Sequence, residues 1–172
     1  MSVSIRFATP ADAGLILRFI RGLADYERAS NAVRASAAEL RAQMESAAPP
    51  FECLIAEIDA DPAGFALFYR SYSTWLGQPL IFLEDLFVES AYRGTGAGIA
   101  LFKELARVAA DRGYSRIEWR VLDWNAPAQR FYRSVGAAPL DGWTVWRLEH
   151  DALAALARAA KTPGAAEVKP SK

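Results

Sequence analysis

Val88-Glu89-Ser90-Ala91-Tyr92-Arg93-Gly94-Thr95-Gly96-Ala97-Gly98-Ile99 is the stretch on which the reading of this chain turns. It begins where an apolar run over residues 80–88 ends. It leads into a segment, from about Gly96 to Arg112, that sets Leu101, Leu105, Val108 and Ala109 on one helical face before Gly113 stops it. A strand therefore feeds a helix through alternating glycines. Such a turn lets the backbone approach an anion closely, with successive N–H groups pointing inward and the positive end of the helix dipole behind them. Arg93 adds a cation at the rim. The segment is predicted to cradle a pyrophosphate. Three alternating glycines weaken a helix start, so a ligand-free turn explains them less well. Two nucleotide motifs fail on spacing. A phosphate loop requires a Gly-Lys-Ser/Thr triplet, which the chain lacks, and a dinucleotide fingerprint requires glycine where Ile99 stands.

Outward from the turn, the pattern is that of one α/β domain over residues 1–161, followed by a Pro/Gly/Ala/Lys tail over 162–172 expected to be disordered. Residues 4–8 form a short strand. Thr9, Pro10 and Asp12 then make a helix start, and Leu15, Ile16, Phe19, Ile20 and Leu23 recur at helical spacing up to about Tyr26. A second helix runs from a Ser36 cap to about Glu45. Residues 51–58, 63–73 and 80–88 are strands apolar on both faces, joined by an Asp-Pro turn and a loop at Gly77. Ile117, Trp119 and Val121 alternate as a fifth main strand. Asn125 caps a short helix with Pro127 in its first turn and Gly136 past its end. Residues 144–149 are expected to be a last strand and 151–160 a last helix.

Bulk properties narrow the function. The 172 residues suffice for one sizeable core and are too few for two ordinary domains. Twenty basic and twenty acidic residues cancel, which does not suggest a nucleic-acid partner. One cysteine excludes an intramolecular disulfide, and no Cys/His cluster suggests zinc. The start has no basic segment leading into an apolar one, and no stretch nears the roughly 20 apolar residues that span a bilayer. A soluble cytoplasmic protein with no metal and no membrane partner is expected.

Several segments together are similar to a known family. Phe82-Leu83-Glu84-Asp85-Leu86-Phe87-Val88, Tyr92-Arg93-Gly94, Val121-Leu122-Asp123-Trp124-Asn125, Phe131-Tyr132 and Gly136-Ala137 resemble the diamine (spermidine/spermine) acetyltransferases of the GNAT superfamily. Leu23-Ala24-Asp25-Tyr26-Glu27 fits the same pattern. Tyr72-Ser73-Thr74-Trp75-Leu76-Gly77 and residues 121–125 are more similar to the thialysine branch. The likeness spans about residues 3–150. It implies a mixed, strongly twisted sheet flanked by helices, with splayed strands forming an acetyl-CoA cleft. It also implies a homodimer and acetyl transfer to a small primary amine by direct attack in a ternary complex.

Carried over by position, the resemblance places acetyl-CoA against Leu86, Phe87, Val88, Gly94, Thr95, Gly96, Ala97, Gly98, Ile99, Asn125 and Pro127, with Tyr132 facing its sulfur. Tyr26, Glu27 and Glu84 would face the amine, and Glu118, Trp119 and Arg120 would line its pocket. The chemistry asks for the same residue types. An ammonium with a pKa of about 10 must lose a proton before it attacks. Glu84, a carboxylate in an apolar strand, is costly there unless something charged or polar meets it, and is the candidate base. Salt-bridging of Glu84 or Asp85 to an arginine within the fold is the alternative, and Asp85 is expected to be structural. The backbone N–H groups of residues 86–88 are candidates to hold the carbonyl oxygen, and the Tyr132 hydroxyl to protonate the thiolate.

Arg120 departs from a polyamine site. It is a poor neighbour for a bare polycation and a good one for a carboxylate, which favours a zwitterionic lysine analogue. Alternation leaves open whether Arg120 points into the pocket. Asp141 is the nearest equivalent of an acidic substrate residue of the family. Cys53 is expected to be core, His150 to have no catalytic partner, and the five tryptophans to serve packing or interfaces. Two competing readings are another acceptor, such as a protein amine or an aminoglycoside, and a non-catalytic acyl-CoA-binding module.

Overall fold

The computed structural model describes residues 2–160, so the expected tail lies outside the described residues. The sheet has five strands in the order β1 (Val3–Phe7), β2 (Glu52–Ile58), β3 (Asp61–Ser73), β4 (Gln78–Val88) and β5 (Ile117–Trp119). The first four pair antiparallel, and β5 joins β4 in parallel, giving the mixed sheet that was expected.

Helix α1 (Ala13–Tyr26) follows a short 3-10 turn at Pro10–Asp12. The Thr9 N–H donates to the Asp12 carboxylate at 2.8 Å, which satisfies a donor that the helix start leaves over. Arg6 on β1 reaches the same carboxylate at 2.9 Å and Glu57 on β2 at 2.7 Å, fastening the helix start to the sheet edge. Helix α2 (Ala37–Met44) begins on a full capping box, with Glu39 N–H donating to Ser36 Oγ at 3.2 Å and Ser36 N–H to Glu39 at 2.9 Å.

Helices α1 and α2 cover one face of the sheet and α3 (Ala97–Asp111) the other. On the first face Phe19 stacks on Phe65 at 5.5 Å between centroids, both fully buried beside Ile16 and Cys53. Burial of each such side chain stabilises by about 1.5–3 kcal/mol. On the second face Leu101, Leu105, Val108 and Ala109 of α3 meet Leu54, Ala56, Ala66, Phe68, Ile81 and Leu83, the helical stripe read from the sequence.

The β2–β3 connection is tighter than expected. Ile58 pairs with Asp61, so the turn is Asp59-Ala60, and Asp61-Pro62 already belongs to β3. Both turn residues are left-handed, with φ of 49° and 73°, as a two-residue hairpin of the I′ kind requires.

Asp123 and Trp124 mark the boundary between two compact units of the described residues. The second holds α4 (Ala126–Ser134) and α5 (His150–Ala160). Asn125 caps α4 as expected, its Oδ1 accepting the Ala128 N–H at 3.2 Å. Two strand expectations are corrected. The fifth strand stops at Trp119 and does not reach Val121. Residues 144–149 form no strand: among its described residues this unit contains no strand to pair with them, and a strand needs a ladder partner.

Candidate active site

The site is built on an irregularity in β4. Leu67 of β3 pairs with Asp85 and the next residue, Phe68, pairs with Leu83, so Glu84 is one residue too many. An extra residue in one strand of an antiparallel pair bends the strand and shifts its alternation. The shift is visible in the packing. Ile81 and Leu83 face α3 before the bulge, and Leu86 and Val88 face α3 after it. Asp85 and Phe87 consequently fall on the α1 face, where Phe87 joins Phe19 and Phe65. Glu84 reaches that face too, because its charge acts on the Tyr69 hydroxyl, and Tyr69 follows Phe68 on β3.

Three carboxylates therefore gather on the α1 side of the bulge. Glu84 is exposed, Asp85 is half-buried on the same strand, and half-buried Glu27 caps the end of α1. Burial first, and then the charges of Glu84 and Glu27, push the Asp85 carboxyl up to about 6. Burial raises Glu27 as well. Among the described residues none of the three has a salt-bridge partner, so the alternative of an ion pair within the fold is not seen for Glu84 or Asp85. Nor do the described residues contain a group of three such side chains placed to hold a metal ion. The arrangement suits an organic cation, whose charge spreads over several oxygens.

Aromatic and cationic side chains frame the acids. Tyr69 stacks on Phe82 at 5.3 Å, and the Arg120 guanidinium lies 5.1 Å from the centre of the same Phe82 ring. Burial and the neighbouring Glu84 raise the Tyr69 hydroxyl above its ordinary value. Arg120 thus stands beside Phe82, with its charge acting on the Tyr69 hydroxyl. Tyr26 closes the end of α1, with the Arg93 guanidinium 4.8 Å from its ring. Trp119 packs edge-on against Phe102 at 5.3 Å, and Glu118 is paired with Arg116 at 3.0 Å. Both line β5, but their side chains are engaged within the fold. Beyond Phe87 a groove of about 710 Å³ runs between α1 and the turn after β4, its walls carrying Arg18, Arg21, Asp25 and Arg93.

The other edge of β4 supplies donors. The parallel pairing with β5 ends at Leu83 and Trp119, one residue before the bulge, so residues 84–88 continue without β5. The Glu89 N–H donates to Ala63, which gives the odd-numbered N–H groups of this stretch to β3. Those of Leu86 and Val88 consequently point to the edge that β5 has left. Phe87 contributes backbone only, since its ring is buried against Gly22, where an added Cβ would stand 2.9 Å away. The splayed strands expected from the resemblance are present.

The glycine turn follows directly. Gly94 and Gly96 have φ of 82° and 95°, and nothing stands within 4 Å of where a Cβ would be. Gly96 precedes the first turn of α3 with no side-chain cap, and the first bond within the helix is Ala100 N–H to Gly96 C=O at 3.0 Å. The N–H groups of Ala97, Gly98 and Ile99 are therefore left over at a helix start with open space above the turn, which fits a pyrophosphate. Thr95 Oγ1 is spent on the Tyr92 carbonyl at 2.7 Å. The Arg93 Nε donates to the Val88 carbonyl at 3.1 Å, and its guanidinium rests by Tyr26 and Phe87.

The chain matches the Acetyltransferase (GNAT) family over residues 20–137. It belongs to the GNAT acetyltransferases. The GNAT chain is 43% identical to the thialysine N-epsilon-acetyltransferase of Bos taurus over 166 residues, which are 90% of this chain and 97% of that one. It is 38% identical to the thialysine N-epsilon-acetyltransferase of Caenorhabditis elegans, covering 84% and 91% of the two chains. Among solved structures, an integron cassette protein from the mobile metagenome of V. cholerae superimposes with a TM-score of 0.75 at 28% identity, covering 92% and 99%. GNAT acetyltransferases use acetyl-CoA as co-substrate, and the anion-binding turn of this member fits it.

In the second unit, buried Asn125 caps α4 and Pro127 occupies its first turn. Tyr132 lies half-buried on the same helix, its ring edge-on to Phe131 at 5.4 Å. Asp141 is exposed in a turn. Cys53 is core as expected, burial pushing its thiol far above the usual range. Of the tryptophans, Trp75 is 86% exposed at a hairpin tip and Trp146 is 90% exposed. Sequence reasoning missed Tyr69, since an aromatic residue in an apolar strand has no mark that separates a place beside a site carboxylate from packing.

Proposed function

We propose that this GNAT acetyltransferase moves the acetyl group of acetyl-CoA to the primary amine of a lysine-like amino acid of the thialysine type, or of a small diamine. The observation that carries this reading is the β4 bulge. It gathers Glu84, Asp85 and Glu27, none with a salt-bridge partner among the described residues, at the point where β5 leaves the strand. A substrate ammonium is the counter-ion those acids lack. The names of the similar proteins point to the same acceptor.

Bound acetyl-CoA supplies the thioester. Gly94, Thr95, Gly96, Ala97, Gly98 and Ile99 hold its pyrophosphate through backbone N–H groups at the start of α3, and Asn125 and Pro127 support it from α4. Leu86 and Val88 donate N–H bonds to the carbonyl oxygen as charge develops there. The carboxylate cluster of Glu84, Asp85 and Glu27 binds the ammonium and removes its proton, leaving a neutral amine to attack directly. Tyr132 protonates the departing sulfur. Tyr26 bounds the acceptor site. Arg120, beside Phe82 and Glu84, attracts the carboxylate of a zwitterionic acceptor, and the arginine-walled groove beyond Phe87 favours the same charge. The protein acts as a homodimer in the cytoplasm.

Competition between thialysine and a carboxylate-free diamine tests the acceptor. Wild type should prefer thialysine, and Arg120→Ala should cut the preference about tenfold, the value of a partly exposed charge-assisted contact. A diamine that outcompetes thialysine, with the ratio unchanged in Arg120→Ala, would refute the zwitterionic reading.

A further inference from the structure

The bulge sets two consecutive carboxylates on one face but gives them different surroundings. Glu84 is exposed and lies close enough to the Tyr69 hydroxyl for its charge to act on it, with Arg120 acting on the same tyrosine. It is wet, suited to offering negative charge. Asp85 is half-buried under the end of α1, faces the carboxylates of Glu84 and Glu27, and has no salt-bridge partner among the described residues. A base that works near neutral pH has to bind a proton comparably in both states, which is the condition that shielding and neighbouring acids create.

We propose that Asp85, and not Glu84, is the group that takes the ammonium proton, with Glu84 and Glu27 serving as charge partners. The proposal rests on the amine-acetylation reading above and divides the labour within that site. One oxygen of the Asp85 carboxylate accepts a proton from the substrate ammonium, so the N–H bond breaks and the electron pair stays on nitrogen. Asp85 becomes a neutral carboxylic acid and the amine becomes neutral. The nitrogen then forms the new bond to the thioester carbon, the C–S bond breaks, and sulfur leaves with its electron pair. Nitrogen gives up a second proton, sulfur gains one, and the proton on Asp85 passes to water. One proton is released per acetyl group transferred. The groups that set the position of this equilibrium are Glu84 on β4 and Glu27 at the end of α1. Burial and these two acids hold the Asp85 carboxyl at about 6, well above the ordinary carboxylate and close to working pH.

The test is the pH dependence of kcat and KM for thialysine acetylation by the whole chain, compared in wild type, Asp85→Asn, Asp85→Glu and Glu84→Gln. Carboxyl-carbon NMR of labelled aspartates in wild type accompanies it. Wild-type kcat/KM should fall on the acid side of an inflection near pH 6. Asp85→Asn should lose about 100-fold in kcat together with that inflection. Asp85→Glu should recover part of the rate, and Glu84→Gln should raise KM and retain an inflection, moved to lower pH by the loss of one of the two neighbouring charges. The NMR titration should show one aspartate, absent from the Asp85→Asn spectrum, with its midpoint well above the others. An Asp85→Asn enzyme with raised KM but unchanged kcat and inflection would overturn the proposal, as would loss of the inflection in Glu84→Gln alone. Should wild type acetylate no amine at all, the amine-acetylation reading fails on its own; the NMR midpoint then decides whether Asp85 is the poised proton acceptor, and an ordinary midpoint overturns it.

Discussion

Replacing Asp85 by asparagine is predicted to stabilise this enzyme while impairing it. The Asp85 carboxyl stands at about 6 in the folded chain against an ordinary value of 3.8. Between about pH 4 and pH 6 the folded state therefore binds more protons than the unfolded one, so stability falls as pH rises through that window. At 1.36 kcal/mol per pKa unit, the full loss above the window is about 3 kcal/mol, a large share of the roughly 5–15 kcal/mol that holds a domain together. Glu27, raised by burial, contributes in the same direction. Asparagine has nearly the same shape, carries no charge, and can donate its amide hydrogens to the two neighbouring carboxylates. Urea unfolding of wild type and Asp85→Asn at pH 5 and pH 8 measures the effect. The variant should gain most at pH 8, by as much as about 3 kcal/mol, and markedly less at pH 5. Equal gains at both pH values, or a loss at pH 8, would show that the carboxylate cluster is not held against an electrostatic cost, and the reasoning would fail.

The salt bridge at the other end of α1 has the opposite sign. Arg6 holds the Asp12 carboxyl down at about 2, so its contribution is present above the ordinary carboxylate value and lost as pH falls through about 2. With Arg6 38% exposed, screening leaves about 1–2 kcal/mol, which a comparison of Asp12→Asn with wild type in acid and neutral urea titrations should show vanishing towards pH 2. In the β2–β3 turn, Ala60 holds a left-handed φ of 73°, so Ala60→Gly should raise stability by about 1 kcal/mol, readable as a shift in the urea midpoint.

The residues whose role is local were the ones that the sequence made legible. Ser36, Asn125, Thr9 and Asp12 cap helices where their types and spacing say they should, because a cap depends on three or four neighbours. The stripe of Leu101, Leu105 and Val108 follows the helical period onto the core. Gly94 and Gly96 were readable because their backbone conformation excludes most other residues. What depended on pairing was not legible. Strict alternation along β4 would separate Glu84 from Asp85, and only the register against Leu67 and Phe68 shows that the strand carries an extra residue between them. For that reason Asp85 read as structural and Tyr69 escaped notice. Asp59-Ala60 lacks the glycine that usually announces a two-residue turn, so the more familiar Asp-Pro next to it was read as the turn. Residues 144–149 have a strand's composition, but composition cannot provide a partner for a ladder.

The most direct test of the account is thiol release from acetyl-CoA by the whole chain against thialysine, lysine, diamines, polyamines and an aminoglycoside, in wild type and Tyr132→Phe. The account predicts turnover with thialysine or a small diamine, falling about 100-fold in Tyr132→Phe while acetyl-CoA binding persists. Clear acetyl-CoA binding with no thiol released on any of these amines would contradict it.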